Sequence, residues 1–416
     1  MAEDKHVVIV GAGFAGLQAA KKLGNKKGIK VTVVDKNNHH LFQPLLYQVA
    51  SSVLSPADIA IPTRSITTNF ENISIIMSEL KDINKEHRKL HLEHTTIQYD
   101  YLILAMGAKT SYFGNDHWKK FAPGMKNLSD ALKVRKNILV SFERAELETN
   151  PAKVAELLNY VVIGGGPTGV ELSGAIAELS HQIIRNDFRF IDSSVSKITL
   201  IEGGPRLLPS FSEKSSEVAR KELVKRGVDV RLNTRVVNID EEGVHTESEI
   251  IKSHNIIWAA GVAANPFTAK LNVQLDKSGR VIVNKFCAIP DNPEIFCIGD
   301  MANFSEGLER PLPGVSPVAM QQGRYVSDLI MNEIKGKERK AFQYFDKGSM
   351  ATIGRMDAVA EMGNLRLSGL IGWLGWLFVH LFYQVGFKNK VSILVTWIWS
   401  YISFQAGARL IQNEED

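Results

Sequence analysis

The stretch His6-Val7-Val8-Ile9-Val10-Gly11-Ala12-Gly13-Phe14-Ala15-Gly16-Leu17-Gln18-Ala19-Ala20-Lys21-Lys22-Leu23, resumed at Ile29-Lys30-Val31-Thr32-Val33-Val34-Asp35, decides the fold. The first β-branched run predicts a strand buried on both faces. A helix-like run follows the glycines, and a second strand ends at an acid nineteen residues beyond Gly16. This is G-x-G-x-x-G in strand–helix–strand context. Gly11 makes the tight turn, Gly13 lets backbone approach a pyrophosphate, and Gly16 permits close helix–strand packing. The helix start offers free N–H groups and positive potential to phosphates, and Asp35 can accept from a ribose. Ala15 and Lys36 are counted with this nucleotide site.

The pattern recurs. Tyr160-Val161-Val162-Ile163 leads into Gly164-Gly165-Gly166-Pro167-Thr168-Gly169 and a helix-like run from Val170 to Ala177, and the strand Lys197–Ile201 ends at Glu202. That acid lies 33 residues beyond Gly169, and the excess falls between Leu179 and Ser196, which predicts a lengthened helix and loop. Two cradles imply two dinucleotides, or one motif kept as a structural relic; two real sites are the reading favoured. A carboxylate at Glu202 would repel a 2′-phosphate and so favour NADH, with Arg206 nearby in sequence as the opposing sign.

Composition sets the outer limits. The 416 residues suffice for more than one core, and 44% hydrophobic with 23% charged residues excludes wholesale disorder. A net charge of +4 gives no reason to expect nucleic acid as a partner. Two cysteines, Cys287 and Cys297, exclude a disulfide scaffold and a four-thiolate metal site. No resident metal is expected. The start lacks a basic-then-apolar signal region, so the catalytic body is expected to stay in the cytoplasm.

Glu294-Ile295-Phe296-Cys297-Ile298-Gly299-Asp300 and Tyr101-Leu102-Ile103-Leu104-Ala105-Met106-Gly107, taken with the two cradles, resemble the two-dinucleotide-domain flavoproteins. The resemblance implies that the chain returns to its first domain. It assigns Gly11, Gly13, Gly16, Asp35, Ala105, Gly107 and Asp300 to non-covalent FAD, with Gln48 beside them. It assigns Gly164, Gly166, Thr168, Gly169 and Glu202 to NADH. Trp258-Ala259-Ala260-Gly261 looks like the strand closing the second domain, and Ala260 and Gly261 join that site. The cysteine pair lies outside the positions that disulfide reductases or sulfide:quinone oxidoreductases use.

The segment Asn38-His39-His40-Leu41-Phe42-Gln43-Pro44-Leu45-Leu46-Tyr47-Gln48-Val49-Ala50 resembles type II NADH:quinone oxidoreductases, as do Gly166–Leu172, Glu202–Pro209 and the tail with Trp376 and His380. The likeness runs from residue 6 to about 411. It implies a quinone as acceptor, met by Gln321, Gln322, Pro317 and Pro44, with Glu171 and Gln321 as catalytic residues. Pro317 stands where the family often has a first glutamine, and it suits the first turn of a helix. His39 and His40 lack metal-ligand spacing and are read as shaping the loop over the flavin. Lys335–Lys340 is read as a solvated loop between domains.

From Leu370 to Phe387 no charged residue occurs, and a second apolar stretch runs from Val391 to Ile411. Eighteen residues make about 27 Å of helix, short of a bilayer core of about 30 Å. Ser392, Thr396 and Ser400 form a weak polar stripe, set opposite Leu394, Trp397, Ile398 and Tyr401. Aromatic residues spread along both stretches favour helices lying in the membrane interface, with Lys388, Lys390 and Arg409 toward anionic headgroups. A spanning hairpin and a soluble core or dimer contact are the competing readings.

The expected fold is α/β: two Rossmann-like dinucleotide-binding domains, the second inserted in the first, and a C-terminal membrane-anchoring region with two apolar helices. The expected division is 1–113 with 266–340 for FAD, 114–265 for NADH and 341–416 for attachment. The expected function is NADH oxidation with quinone reduction, without proton pumping, on the inner face of the cytoplasmic membrane. The expected partners are quinone, the lipid surface and a homodimer through the tail. A ferredoxin- or rubredoxin-type reductase and a membrane-anchored NADH sensor are the alternatives.

Overall fold

A computed structural model describes residues 4–185, 187–403, 405 and 407–411. The extreme amino terminus, on which the expected lack of a signal region partly rests, lies outside them. The fold is α/β, and the chain divides into two compact units: Met1–Leu41, Ala60–Lys109 and Val262–Asp346 in one, Phe42–Ile59, Thr110–Gly261 and Lys347–Asp416 in the other.

In the first unit the strand Lys5–Val10 lies between Ile29–Asp35 and Tyr101–Leu104, paired in parallel with both. Ile73–Met77 extends the sheet beyond Ile29–Asp35, and Asn292–Cys297 extends it beyond Tyr101–Leu104. The late strand therefore does return to the first sheet, as the resemblance to two-dinucleotide-domain flavoproteins implied. Val7, Val8 and Ile9 are fully buried, which is why the run is continuously apolar. The first-cradle helix, Phe14–Leu23, packs on the helix Ser316–Ile334. Gly323 makes that packing possible, because a Cβ there would stand 2.3 Å from the Ala15 carbonyl oxygen. Pro317 sits in the first turn of Ser316–Ile334, as expected. The basic run after it is not simply solvated: Arg339 pairs with Glu333, donates to the Pro293 carbonyl and stands over the Phe296 ring. An apolar face under a guanidinium leaves its polar fork free for such partners.

In the second unit the order is Val228–Arg231, Lys197–Ile201, Asn159–Ile163, Asn255–Trp258, all parallel. Each unit thus flanks its first strand with its second strand on one side and a later strand on the other. The order reverses at the first strand, the switch point where open α/β sheets bind ligands beyond the strands' carboxyl ends. The second-cradle helix, Pro167–Glu178, is lengthened by a π-helical turn at Leu179–Ile183, which takes up part of the excess before Glu202.

Two features of this unit have no local signal in the sequence. The segment Phe42–Ile59 belongs to it by contact, through the short helix Leu46–Ala50, which touches Pro167–Glu178. The tail belongs to it too, so that by contacts it forms no separate unit. Three antiparallel strands, Ser349–Gly354, Asp357–Met362 and Leu365–Ser368, lead to the two tail helices, Gly369–Tyr383 and Phe387–Ser403. The first of these strands lies on Pro167–Glu178 at Gly174, where a Cβ would meet the Ile353 carbonyl oxygen at 1.9 Å.

The tail helices are turned in an unexpected way. Ile393, Trp397 and Ser400 are buried, while Leu394, Val395, Ile398, Trp399 and Ile402 are exposed. Trp397, read from sequence as lying opposite the polar stripe, is turned inward beside Ser400. Ser392, also of that stripe, donates to Asp58 at 2.8 Å. Of the three cations assigned to headgroups, Arg409 instead pairs with Asp187 and Lys390 donates to the Phe382 carbonyl, leaving Lys388 exposed.

Candidate dinucleotide sites and a buried carboxyl

The two glycine loops repeat one another atom for atom. Gly11 N–H donates to Val34 O and Ala105 N–H to Val10 O; Gly164 N–H donates to Ile201 O and Ala259 N–H to Ile163 O. Gly11 (φ +103°) and Gly164 (φ +113°) occupy backbone that L side chains avoid, and each presses on the neighbouring strand end. A Cβ on Gly11 would lie 2.3 Å from Ala105 O, and one on Gly164 2.6 Å from Ala260 Cα. A Cβ on Gly16 would lie 1.8 Å from Gly11 O, and one on Gly169 1.8 Å from Gly164 O. Gly13 and Gly166 have nothing within 4 Å on that side, so the loop backbone is bare where a pyrophosphate would approach. Both also cap their helices without a side-chain hydrogen bond. The first-turn N–H groups thus have no side chain competing with a phosphate.

The acids do more than the sequence implied. Asp35 accepts from Ala12 N–H at 2.7 Å and from Asn37 N–H at 2.7 Å, one bond to each oxygen. Glu202 accepts from Gly165 N–H at 2.6 Å and from Gly204 N–H at 2.7 Å, again one to each. A carboxylate has about four acceptor positions, so each acid fixes its loop and keeps acceptors for a ribose diol. Arg206, the residue that left the nucleotide choice open, is committed locally: it donates to Phe211 O, Pro209 O and Ser216 Oγ.

The other first-site residues fall into place around the loop. Ala105 and Ala15 are buried, Lys36 is exposed, and Gly107 (φ +67°) has open space at its missing Cβ. Asp300 lies half-buried on the turn Gly299–Met301. Gln322, assigned by resemblance to the quinone side, is buried and accepts from Gly299 N–H at 2.8 Å, so it braces that turn. Gln321 holds the backbone of Phe345 at both ends, its amide donating at 2.9 Å and accepting at 3.0 Å. Pro44 is the second residue of the short helical turn Gln43–Leu45. His40 is tied to the glycine loop: it is buried, burial holds its pKa down to about 4, and Nδ1 bonds the Ala12 carbonyl at 2.9 Å. Being neutral, it donates through Nδ1–H, which leaves Nε2 a buried acceptor without a protein partner.

In the second site Thr168 sits in the first turn of its helix, and Ala260 and Gly261 are half-buried. Gly261 accepts from Ser111 N–H at 3.1 Å. Glu171, one turn into the helix, is half-buried with its carboxyl packed among protein groups. Desolvation raises its pKa to about 8, opposed only by a 3.4 Å bond from Thr352 N–H. A carboxyl there carries its proton at neutral pH. Gln48, assigned to cofactor binding, is buried with both ends of its amide engaged by Tyr47 and Trp397. Tyr47, Thr352 and Trp397 were not singled out as site residues by the sequence. The apolar run around Tyr47 and the strand pattern around Thr352 conceal them. Cys287 and Cys297 are both buried and burial pushes their thiols up, which leaves them inert.

The steric argument gives a direct expectation for the first loop. Gly16→Ala would drive a Cβ into Gly11 O, so the purified variant should carry little or no flavin, read from its absorbance per chain. A full complement of flavin would show that the loop has room that the geometry denies.

Two sheets sharing one order of central parallel strands, each with an acid-clamped glycine loop, define a two-dinucleotide oxidoreductase. The family model for pyridine nucleotide-disulphide oxidoreductases matches residues 5–323. A type II NADH:quinone oxidoreductase of Mycobacterium tuberculosis is 41% identical over 98% of this chain and 90% of its own. One from Staphylococcus haemolyticus is 30% identical over 89% of this chain and 92% of its own. The solved structure of NDH2 from Plasmodium falciparum in complex with NADH superposes with a TM-score of 0.89, covering 99% of this chain and 100% of that one, at 21% identity. The chain belongs to the type II NADH:quinone oxidoreductase family.

Proposed function

We propose that the chain oxidises NADH and reduces a membrane quinone, without pumping protons, on the inner face of the cytoplasmic membrane. FAD, when bound, supplies the two-electron carrier between the two substrates. The observation that carries this reading is the pair of acid-clamped loops on one chain, together with family membership. Residues 1–113 and 266–340 would bind FAD through Gly11, Gly13, Ala15, Gly16, Asp35, Lys36, Ala105, Gly107 and Asp300. Residues 114–265 would bind NADH through Gly164, Gly166, Thr168, Gly169, Glu202, Ala260 and Gly261. Glu202 accepts from both ribose hydroxyls and repels a 2′-phosphate, while Arg206 is occupied elsewhere. Quinone reduction takes up protons, and Glu171, protonated at neutral pH, is positioned to hold one of them. Gln321, Pro317 and Pro44 are the quinone-side candidates, with Gln322 acting through the turn it braces.

The tail, residues 341–416, is proposed to attach the enzyme to lipid. No helix among the described residues is long and apolar enough to cross a membrane. Instead Phe378 (71% exposed), Phe382 (63%), Ile398 (51%) and Ile402 (74%) face outward, while the polar stripe helps to hold the helices inward. An apolar face turned outward suits an interfacial helix pair, and a patch of this kind marks an interaction site. Trp376 and Trp397 are 0% and 2% exposed, so deleting the tail would also strip a core. The cleaner variant is Phe378→Glu with Ile398→Glu. Each loses about 2 kcal/mol of apolar burial, so the protein should no longer float with vesicles. Flavin content and activity with a water-soluble quinone should stay near wild type, and activity with a vesicle-borne quinone should fall. Undiminished flotation would place the attachment elsewhere, and a homodimer of constant size with or without lipid would assign that face to a second copy.

A further inference from the structure

The helix Phe387–Ser403 is joined to Glu171 by a buried run of hydrogen bonds that passes from the hydroxyl to the backbone N–H of Thr352. Trp397 Nε1–H donates to Gln48 Oε1 at 2.7 Å, and Gln48 Nε2–H donates to Tyr47 Oη at 2.9 Å. Tyr47 Oη and Thr352 Oγ1 lie 3.2 Å apart, and Thr352 N–H donates to Glu171 Oε1 at 3.4 Å. Tyr47, Gln48, Thr352 and Trp397 are 6%, 4%, 5% and 2% exposed. Such a run joins four segments distant in sequence that meet only through folding.

The chain has a direction. An indole nitrogen can only donate, so Gln48 must turn its carbonyl oxygen to Trp397 and its amide nitrogen to Tyr47. Tyr47 Oη is thereby an acceptor on that side, and its own proton is free for Thr352 Oγ1. Desolvation and the nearby Glu171 raise the phenol well above its ordinary pKa, so that proton stays in place. Three links are N–H groups that do not release protons at working pH, and the chain is therefore no proton wire. It can only hold its members in register.

We propose that Trp397, Gln48 and Tyr47 are positioning residues for Glu171, holding the strand Ser349–Gly354 closed over its carboxyl and water away from it. The proposal rests on the proton-holding role given to Glu171 above. It also links lipid and chemistry, because Trp397 points inward from the helix whose Ile398 and Trp399 point out.

The surroundings of Glu171 allow the assignment. The helix Leu46–Ala50 brings Tyr47 as its titratable group, and the strand Ser349–Gly354 brings none. Arg355, just past that strand, is neutralised by Glu178 at 2.8 Å and lies over the Tyr401 ring of the tail helix. On the remaining neighbouring elements, His181 bonds the Ser196 carbonyl and Arg226 pairs with Asp357. Arg355 is thus already paired, and burial with one N–H donor governs the carboxyl. Breaking the chain frees the Gln48 amide to turn, redirects the Tyr47 proton and opens the site to water, which favours the ionised form.

The test uses the flavin-loaded full chain as wild type, Glu171→Gln, Trp397→Phe and Tyr47→Phe. Turnover with NADH and a water-soluble quinone is followed against pH, and infrared titration follows the protonated-carboxyl band that Glu171→Gln removes. The limb near pH 8 and that band should titrate at least one unit lower in Trp397→Phe and in Tyr47→Phe, with flavin content unchanged. If Glu171→Gln abolishes the limb while band and limb stay put in both other variants, the positioning role is overturned. If Glu171→Gln itself keeps the limb, the role of Glu171 fails and this inference fails with it. Should Trp397→Phe not fold, Tyr47→Phe with its infrared band decides alone.

Discussion

Replacing Glu171 by glutamine should slow turnover at least tenfold while leaving fold and flavin intact, a barrier change of about 1.4 kcal/mol. Glutamine preserves the shape and can still accept from Thr352 N–H, but it has no proton to give. Stability should move the other way. The carboxyl titrates near 8 in the native state and near 4.5 when unfolded. Between those values the native state binds the extra proton, so stability falls as pH rises through the window and levels off above about 8. The slope at full strength would amount to a few kcal/mol. Glu171→Gln removes it, so the variant should melt higher than wild type at pH 8–9 and lose that advantage toward pH 5. Stopped-flow traces with NADH and then quinone, beside melting curves at both pH values, check the two halves separately. Wild-type rates in both half-reactions would leave Glu171 as packing alone.

Replacing Glu202 by alanine should cost the enzyme most of its grip on NADH. The side chain anchors two loop N–H groups, and hydrogen bonds to a charged acceptor contribute about 1.5–3 kcal/mol each. Removing it frees the Gly164–Gly169 turn and deletes the ribose acceptor at once. A fall of roughly a hundredfold in kcat/KM for NADH is expected, carried mainly by KM. Discrimination against NADPH should narrow at the same time, because the charge that repels its 2′-phosphate is gone. Arg206 will not rescue NADPH while it remains bonded to Phe211 O, Pro209 O and Ser216. Wild-type enzyme with equal kcat/KM for the two nucleotides would remove Glu202 from the ribose site altogether.

The glycine loops were legible because sterics alone dictate them: no residue but glycine fits a Cβ-to-carbonyl gap of 1.8 Å. The return of the strand that carries Asp300 was legible only through the family resemblance, since its apolar run marks a strand without saying which sheet it joins. The second task of Asp35 and Glu202, clamping their own loops, was not, since spacing shows that an acid follows a strand but not which N–H it meets. Phe42–Ile59 joins the second unit for a reason equally invisible locally, because an apolar run does not say which core it enters. The tail shows the same limit in another form. Helical spacing separates two faces of Phe387–Ser403, yet it cannot say which one turns inward. Only contact with Gln48 and Asp58 decides that Trp397 and Ser392 face the protein. Arg339 read as solvent-facing because charge is the only signal a single sequence offers there.

The central claim is that this one chain takes electrons from NADH and hands them to a quinone. Its most direct measurement is anaerobic absorbance of the flavin-loaded protein, mixed with NADH and then with a water-soluble quinone. Bleaching of the flavin band within the turnover time, followed by its full return on quinone addition, is the result predicted. A band that stays unbleached by NADH, or that bleaches and does not return with quinone, would contradict it.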